Sequence, residues 1–261
     1  MTAFLNKKTL GRENFTKHGL AWDATLPKPS QLEILTASGY RHLLRCLALL
    51  ILSALAVCAQ AQAMAQPEAT ASIRSGGDTL LVVGDSLSAE YGLQRGSGWV
   101  ALLERKLSAE KRDIKVVNAS ISGDTTSGGR SRLGALLKQH QPRIVIIELG
   151  GNDALRGLPL TMTEDNLRTM AAAAQQSGAR VLLLGMQVPP NYGSAYSDSF
   201  SALFPKVAKS TKSALVPFML KGVADISDAS KLFQSDRIHP NESAHPIILA
   251  NVWPELRKLL K

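Results

Sequence analysis

Two short segments of this 261-residue chain hold a candidate serine nucleophile and its base. Ser86 lies in Gly-Asp-Ser at 84–86, and His239 follows Asp236 by three positions. A serine on a tight turn, beside a glycine that lets the chain bend, is well placed for nucleophilic attack. A carboxylate three residues before a histidine can accept from one imidazole nitrogen, which leaves the other to take a proton from a serine. These residue types could therefore carry out acyl transfer.

Two further segments offer hydrogen-bond donors for the negative charge that develops in such a reaction. Gly123 lets the backbone approach a substrate closely, and its N–H could join that of Ser86. Asn152 follows two glycines, and its amide is a neutral donor that does not titrate. Together these three donors could hold an oxyanion.

Each segment also has an alternative interpretation. Gly-Asp-Ser suits an ordinary turn, and Asn152 could cap the following helix. The glycine spacing at 123–128 is typical of a phosphate-binding loop, but residue 129 is glycine where that loop needs lysine. The Asp-x-x-His spacing could suit a metal, although no motif supplies the remaining ligands. We therefore predict neither a metal nor a cofactor.

The elements that position these segments alternate along the chain. Apolar segments typical of parallel strands occur at 79–83, 114–118, 143–149, 180–186 and 215–220. Helical periodicity occurs at 98–110, 132–140 and 163–177, where Thr163 is a candidate N-cap and Gly178 a candidate C-cap. This alternation predicts an α/β fold, with a doubly wound, mostly parallel five-stranded sheet. In such sheets ligands bind at the carboxyl ends of the strands, which three of the four segments follow.

A last helix is predicted at 242–261, and it contains two prolines. Pro246 is expected in the first turn, where a missing N–H is harmless. Pro254 is expected to kink or break the helix.

The N-terminal 66 residues have the features of an extension with a secretory signal peptide. Arg41 and Arg45 flank an apolar stretch at 46–59, which is shorter than the ~20 residues of a membrane-spanning helix. We expect cleavage after Ala63 or Ala65, a single mature domain at 67–261, no stable membrane span, and a periplasmic or secreted protein. Residues 1–40 fit no ordinary signal peptide, so either the true start lies nearer residue 40 or a long leader is removed.

Cysteine use and charge exclude further classes. Both cysteines, Cys46 and Cys58, lie in the leader, so the mature chain has no thiol nucleophile, zinc-thiolate site or disulfide. The segment before Cys58 resembles a lipoprotein processing site only loosely, because Val57 is bulky where such sites have a small residue. The formal net charge is +9, but the basic residues of 67–261 are scattered. A nucleic-acid partner is not predicted, because its binding face needs clustered basic side chains.

In their order and separations, the four segments resemble the blocks of the GDSL, or SGNH, hydrolase family, whose four letters correspond here to Ser86, Gly123, Asn152 and His239. The resemblance runs from residue 79 through the last helix. Five stretches are similar to the bacterial periplasmic thioesterase I, lysophospholipase and arylesterase group: 84–88, 117–125, 135–142, 148–157 and 190–193. This resemblance implies a flavodoxin-like three-layer α/β/α fold.

The resemblance also implies roles and substrates. Ser86 would be the nucleophile, His239 the general base and Asp236 its orienting partner, with Ser86, Gly123 and Asn152 as the oxyanion hole. The enzyme would hydrolyse carboxylic esters and thioesters, including acyl-CoA and lysophospholipids, as a monomer without a cofactor.

The loop that lines the acyl pocket in relatives gives four candidate substrate-binding residues: Met186, Val188, Pro190 and Tyr192. The stretch 187–190 departs from the expected pocket loop, which leaves the acyl chain length open. Glu90 and Arg237 are charged where we expect small or neutral residues, and could alter the pocket rim.

Two other functions fit parts of the sequence. A carbohydrate or peptidoglycan O-deacetylase on the same scaffold would act on acetyl groups only and need a polar pocket, whereas the apolar Leu155, Leu158 and Leu160 favour an acyl chain. A lipid-binding module without turnover is the non-enzymatic alternative. The intact set of nucleophile, base and carboxylate argues against it.

Overall fold

The computed structural model describes Tyr40 and residues 78–261, except for the side chain of Pro190. The predicted signal peptide, Cys58 and the boundary at residue 67 lie outside the described residues. Residues 78–261 belong to one compact unit.

Five strands form one parallel sheet in the order β2-β1-β3-β4-β5. The strands are β1 (Asp78–Gly84), β2 (Ile114–Asn118), β3 (Ile144–Glu148), β4 (Arg180–Leu184) and β5 (Ala214–Val216). The order is that of a flavodoxin-like sheet, in which the chain moves first to one edge and then across to the other. The predicted fold class is therefore confirmed.

Helices cover both faces of this sheet. They are α1 (Trp99–Ala109), α2 (Thr126–His140), α3 (Gly151–Leu155), α4 (Leu160–Gln176), α5 (Ser194–Thr211) and α6 (His245–Leu259), with 3-10 turns at Pro190–Tyr192, Ala229–Leu232 and Glu242–Ala244. Helices α1 and α6 pack together on one face, and α2, α4 and α5 pack on the other. All five residues of β3 are buried, as expected for a central strand covered on both sides.

Most predicted elements are present, with shifted ends. The strand expected at 215–220 is only three residues long, because Pro217 follows it and cannot donate to a ladder. The helix expected to start at Thr163 begins at Leu160 with Pro159 as its N-cap, so the N-cap prediction is wrong. Thr163 is instead buried within the helix.

Of the two outcomes expected at Pro254, a kink or a break, the break does not occur. Helix α6 continues through this residue to Leu259, and Pro246 lies in its first turn as predicted. Pro254 lies on the exposed side of the helix, where water can reach the carbonyl that loses its partner. The opposite side buries Ile248, Val252 and Leu256, which hold the helix against the sheet.

Helix length and composition bear on membrane insertion. Among the described residues, no helix combines the length and the apolar character needed to cross a bilayer.

Gly185 provides a test of how closely the ends of β4 and β5 approach each other. Its N–H donates to the Val216 carbonyl at 2.8 Å, and a Cβ at this position would lie 2.2 Å from the Pro217 carbonyl oxygen. We expect Gly185→Ala to lower the free energy of unfolding by about 1–3 kcal/mol, because the backbone must move.

Gly134 in α2 is the matched control, since a Cβ there meets no atom within 4 Å. Gly134→Ala should raise stability by about 0.5–1 kcal/mol, as in any exposed helix. Urea denaturation compares the two variants. A Gly185→Ala protein as stable as the wild type would contradict the packing described here.

Candidate active site

Ser86 lies in the turn that follows β1, at the carboxyl edge of the sheet. Its Oγ is 2.9 Å from His239 Nε2, and the residue is half-buried. The turn is held by Asp85, whose Oδ1 accepts from Leu87 N at 3.1 Å and whose carbonyl accepts from Ala89 N at 2.9 Å. The side chain of Ser86 therefore faces the histidine from a fixed backbone.

A tight loop holds Asp236 and His239 together. Gln234 N donates to the His239 carbonyl at 2.8 Å, and Arg237 adopts a left-handed conformation with φ 58°. Asp236 Oδ1 accepts from the N–H groups of Ile238 and His239 at 2.9 and 3.0 Å. Its Oδ2 lies 2.6 Å from His239 Nδ1. These bonds to His239 and Ile238 lower the pKa of Asp236 to about 2.

The same bonds set the state of the imidazole. An ionised carboxylate can only accept, so Nδ1 of His239 carries the proton and donates to Asp236. Nε2 is then the acceptor for the hydroxyl of Ser86. The arrangement can remove a proton from the serine as its oxygen attacks.

Tyr91 packs against the imidazole, and the sequence did not predict it. Its ring centroid is 4.3 Å from that of His239, with the planes tilted by 39°. Gln234 Nε2 donates to the Tyr91 carbonyl at 2.9 Å, which joins the turn after β1 to the histidine loop. An aromatic residue five positions after the nucleophile was the only signal in the sequence.

The two predicted oxyanion segments lie on neighbouring loops. Gly123 has φ 79°, a conformation that favours glycine, and its carbonyl accepts from Arg156 Nη2 at 2.8 Å. Asn152 lies in the first turn of α3, and its Nδ2 donates to Asp85 Oδ2 at 2.9 Å. An amide nitrogen carries two hydrogens, so one can serve a substrate while the other is held.

The side chain of Asp153 holds the Asn152 loop in place. It is fully buried and accepts from Thr126 N at 2.8 Å, from the Thr126 hydroxyl and from Thr163 Oγ1 at 3.3 Å. These bonds join the N-terminus of α2 to the Asn152 loop and to α4. The carboxylate that follows Asn152 therefore positions the loop.

Two buried carboxyl groups lie beneath the serine turn, and the sequence analysis missed both. Burial raises the pKa of Asp85 to about 6. Burial and the charge of Asp85 raise the pKa of Glu148 well above its ordinary value. Glu148 ends the otherwise apolar β3, and a single acidic residue in such a strand was the available signal.

The four candidate substrate-binding residues fall in different environments. Met186 is buried in the core, and its Cε lies 3.9 Å from where a Cβ of Gly151 would be, next to the Asn152 loop. Val188 is half-buried against the core. The ring of Tyr192 stacks on Tyr196 at 6.0 Å. The side chain of Pro190 lies outside the described part of the chain.

The unexpected charge at Glu90 has a structural explanation. Glu90 adopts φ 60°, and its carboxylate accepts from Gly98 N at 2.8 Å and Gly96 N at 3.0 Å. It thereby holds the loop before α1. Arg237 is exposed in the loop that holds Asp236 and His239.

Among the described residues, no cluster of three or more His, Cys, Asp or Glu side chains could hold a metal ion.

Comparison with known proteins finds one matching family and several similar proteins. Residues 82–247 match the model of the GDSL-like Lipase/Acylhydrolase family. Esterase TesA of Pseudomonas aeruginosa is 53% identical over 182 residues, which cover 70% of this chain and 89% of the relative. Thioesterase 1/protease 1/lysophospholipase L1 of Escherichia coli is 44% identical over 183 residues, 70% of this chain and 85% of the relative. A crystal structure of TesA superposes with a TM-score of 0.67 at 53% identity, covering 70% of this chain and 99% of that one.

Because the pKa of Asp236 is low in the folded protein, its contribution to the free energy of unfolding is expected to change with pH in acid. A carboxyl whose folded-state pKa is depressed stabilises the fold above its unfolded pKa and loses this contribution as the pH falls through the folded value. The stability advantage of the wild type over Asp236→Asn should therefore be constant above about pH 5 and shrink between about pH 4 and 2. Urea denaturation across this range measures it. A difference that stays constant or grows toward acid would contradict the assigned hydrogen bonds.

Proposed function

The chain belongs to the GDSL-like lipase/acylhydrolase family, and we propose that it is a serine hydrolase that cleaves carboxylic esters and thioesters through an acyl-enzyme on Ser86. The observation that carries the proposal is the continuous hydrogen-bond chain from Ser86 Oγ through His239 to Asp236. The names of the relatives, an esterase and a thioesterase/lysophospholipase, support the substrate class.

The first half-reaction acylates the serine. Nε2 of His239 takes the hydroxyl proton as Ser86 Oγ attacks the acyl carbonyl carbon. Asp236 holds the imidazole and stabilises the imidazolium that forms. The C–O or C–S bond to the leaving group then breaks, and His239 donates the proton to the departing alcohol or thiol. The acyl group remains on Ser86 as an ester.

The second half-reaction releases the acid. Nε2 of His239 takes a proton from water, whose oxygen attacks the acyl carbonyl. The bond to Ser86 Oγ breaks, the serine recovers its proton from the histidine, and a free carboxylic acid leaves. No cofactor or metal takes part in the proposed sequence.

The tetrahedral oxyanion of both steps is assigned to three donors: the N–H groups of Ser86 and Gly123 and the amide of Asn152. Each donor of this kind contributes about 10²–10³ in rate. The hydrogen bond to Asp85 keeps the Asn152 amide on the serine side of its loop. Arg156 fixes the Gly123 carbonyl in the same way.

Apolar side chains near these residues favour an acyl chain over an acetyl group on a sugar. Most large apolar side chains exposed within residues 78–261 lie close in sequence to the proposed catalytic groups: Tyr91, Ile121, Leu155 and Ile238. We assign Val188 and Tyr192 to the wall of the acyl site, with Met186 and Pro190 flanking them.

The export of the protein is part of the proposal. Residues 1–66 would be an N-terminal extension with a cleavable signal peptide, and 67–261 the single hydrolase domain of the mature protein, a monomer in the periplasm or outside the cell. The composition of residues 41–66 supports it.

The nucleophile is tested by Ser86→Ala. We expect kcat on nitrophenyl esters and acyl-CoA to fall by at least about 10⁴-fold, because only binding and the oxyanion donors remain. Ser235→Ala, an exposed serine next to Asp236, is the matched control and should keep the wild-type rate. Residual turnover within tenfold of the wild type in Ser86→Ala would contradict the assignment.

The leader is tested on protein expressed from the full gene in a Gram-negative host. The mature N-terminus should be Met64 or Gln66, because we expect cleavage after Ala63 or Ala65. N-terminal sequencing of the periplasmic fraction decides this. An intact Met1 on active protein would contradict export by this route.

A further inference from the structure

Two buried carboxyl groups meet directly beneath the turn that carries Ser86. Glu148 at the end of β3 has no exposed surface, and Asp85 after β1 is 2% exposed. The sheet brings them together, because Gly84 and Glu148 are register partners. Among the described residues, neither carboxyl accepts a hydrogen bond from a lysine or arginine. Two unpaired charges at this depth would be costly, so one group must be neutral.

The hydrogen bonds identify which group holds the proton. Glu148 Oε2 accepts from Ser88 Oγ at 2.8 Å and from Asp85 N at 3.2 Å. Trp99 Nε1 donates to Ser88 Oγ at 3.1 Å, so the hydroxyl proton of Ser88 is free to point at the glutamate. Glu148 Oε1, although buried, receives no donor from the described residues. An oxygen with no donor is the one that can carry a proton itself.

Asp85 has the opposite surroundings. Its two oxygens accept from Leu87 N at 3.1 Å and from Asn152 Nδ2 at 2.9 Å, and donors of this kind stabilise an ionised carboxylate. Glu148 Oε2 accepts from the backbone N–H of Asp85 at 3.2 Å, so the two carboxyl groups are close neighbours. A hydrogen bond between two carboxyl groups needs one proton, and Glu148 has the oxygen that no donor occupies.

The consequence reaches the oxyanion site. We propose that Glu148 is a positioning residue that stays protonated and donates to Asp85, so that the ionised Asp85 holds the amide of Asn152 in the orientation that binds the oxyanion. This inference rests on the proposed function, because it assigns the second N–H of that amide to the substrate. Without Glu148, Asp85 would lose this donor, and its carboxylate would hold the Asn152 amide less firmly.

Few other groups near Glu148 could take up or supply its proton. The titratable group that acts on Glu148 is Asp85. Ser120 Oγ, in the loop after β2, and Glu148 Oε2 both lie within 3.0 Å of where a Cβ of Gly84 would be, and Trp99 in α1 bonds to Ser88. Asp85 in turn lies within electrostatic range of His239, whose positive form favours the ionised carboxylate. The pKa of Glu148, well above its ordinary value, and that of Asp85 at about 6 agree with this distribution near neutral pH.

The proton is tested directly by infrared spectroscopy near pH 7. The difference spectrum between the wild type and Glu148→Gln should contain the carbonyl band of a protonated carboxyl group, sensitive to D2O exchange and assigned to Glu148. A wild type without such a band, or a band that persists in Glu148→Gln, would overturn the proposal. This measurement does not depend on activity or on a substrate.

The positioning role is tested by kinetics on the intact mature enzyme. Glu148→Gln keeps a donor to Asp85 and should retain a kcat close to that of the wild type. Glu148→Met has a similar volume and no donor, so kcat should fall by about 10–100-fold with little change in KM, less than the loss of a whole oxyanion donor. An unchanged kcat in Glu148→Met, or an equal loss in both variants, would overturn the role.

Asn152→Ala separates this inference from the proposed function. If Asn152→Ala keeps the wild-type kcat, the oxyanion assignment fails, whatever the infrared band shows. If Asn152→Ala loses activity and Glu148→Met does not, the positioning inference alone fails. Should Glu148→Met not fold, the infrared band and the Glu148→Gln rate still decide.

Discussion

The parallel pairing of β1 with β2 and β3 is the constraint on which the site depends. Because adjacent parallel strands end at the same edge, the residues that follow β1, β2 and β3 meet there without any long-range sequence signal. Ser86, Gly123 and Asn152 each follow one of these strands. Asp236 and His239 come from elsewhere, on the loop before α6, and Tyr91 and Gln234 hold that loop against the serine turn.

Hydrogen bonds between the loops fix the positions of these side chains. Asp85 connects the serine turn to Asn152, Asp153 connects the Asn152 loop to α2, and Arg156 reaches back to the carbonyl of Gly123. Each of these hydrogen bonds includes a charged side chain, and two of the three accepting groups are buried. Hydrogen bonds to charged groups are stronger than neutral ones, and they keep the loops in the arrangement that acyl transfer needs.

The sequence was enough to predict the fold, and the structure brings the predicted Ser86, Asp236 and His239 within hydrogen-bond distance of one another. Strand periodicity and the four motifs are local signals. It could not predict the buried pair of Asp85 and Glu148, because their meeting depends on the register of β1 with β3. It also misplaced the start of α4, where Thr163 looks like a cap but is buried beside Asp153. Pro254 does not end α6, because burial of the opposite helix face outweighs the local cost of the proline.

We propose that hydrolysis proceeds through an acyl group on Ser86. This intermediate can be trapped by mixing the mature enzyme with nitrophenyl butyrate, quenching rapidly in acid, and analysing the proteolysed protein by mass spectrometry. We expect the mass of one butyryl group to appear on the peptide that contains Ser86 and to vanish as turnover ends. Turnover with no adduct at any quench time, or an adduct confined to another residue, would contradict it.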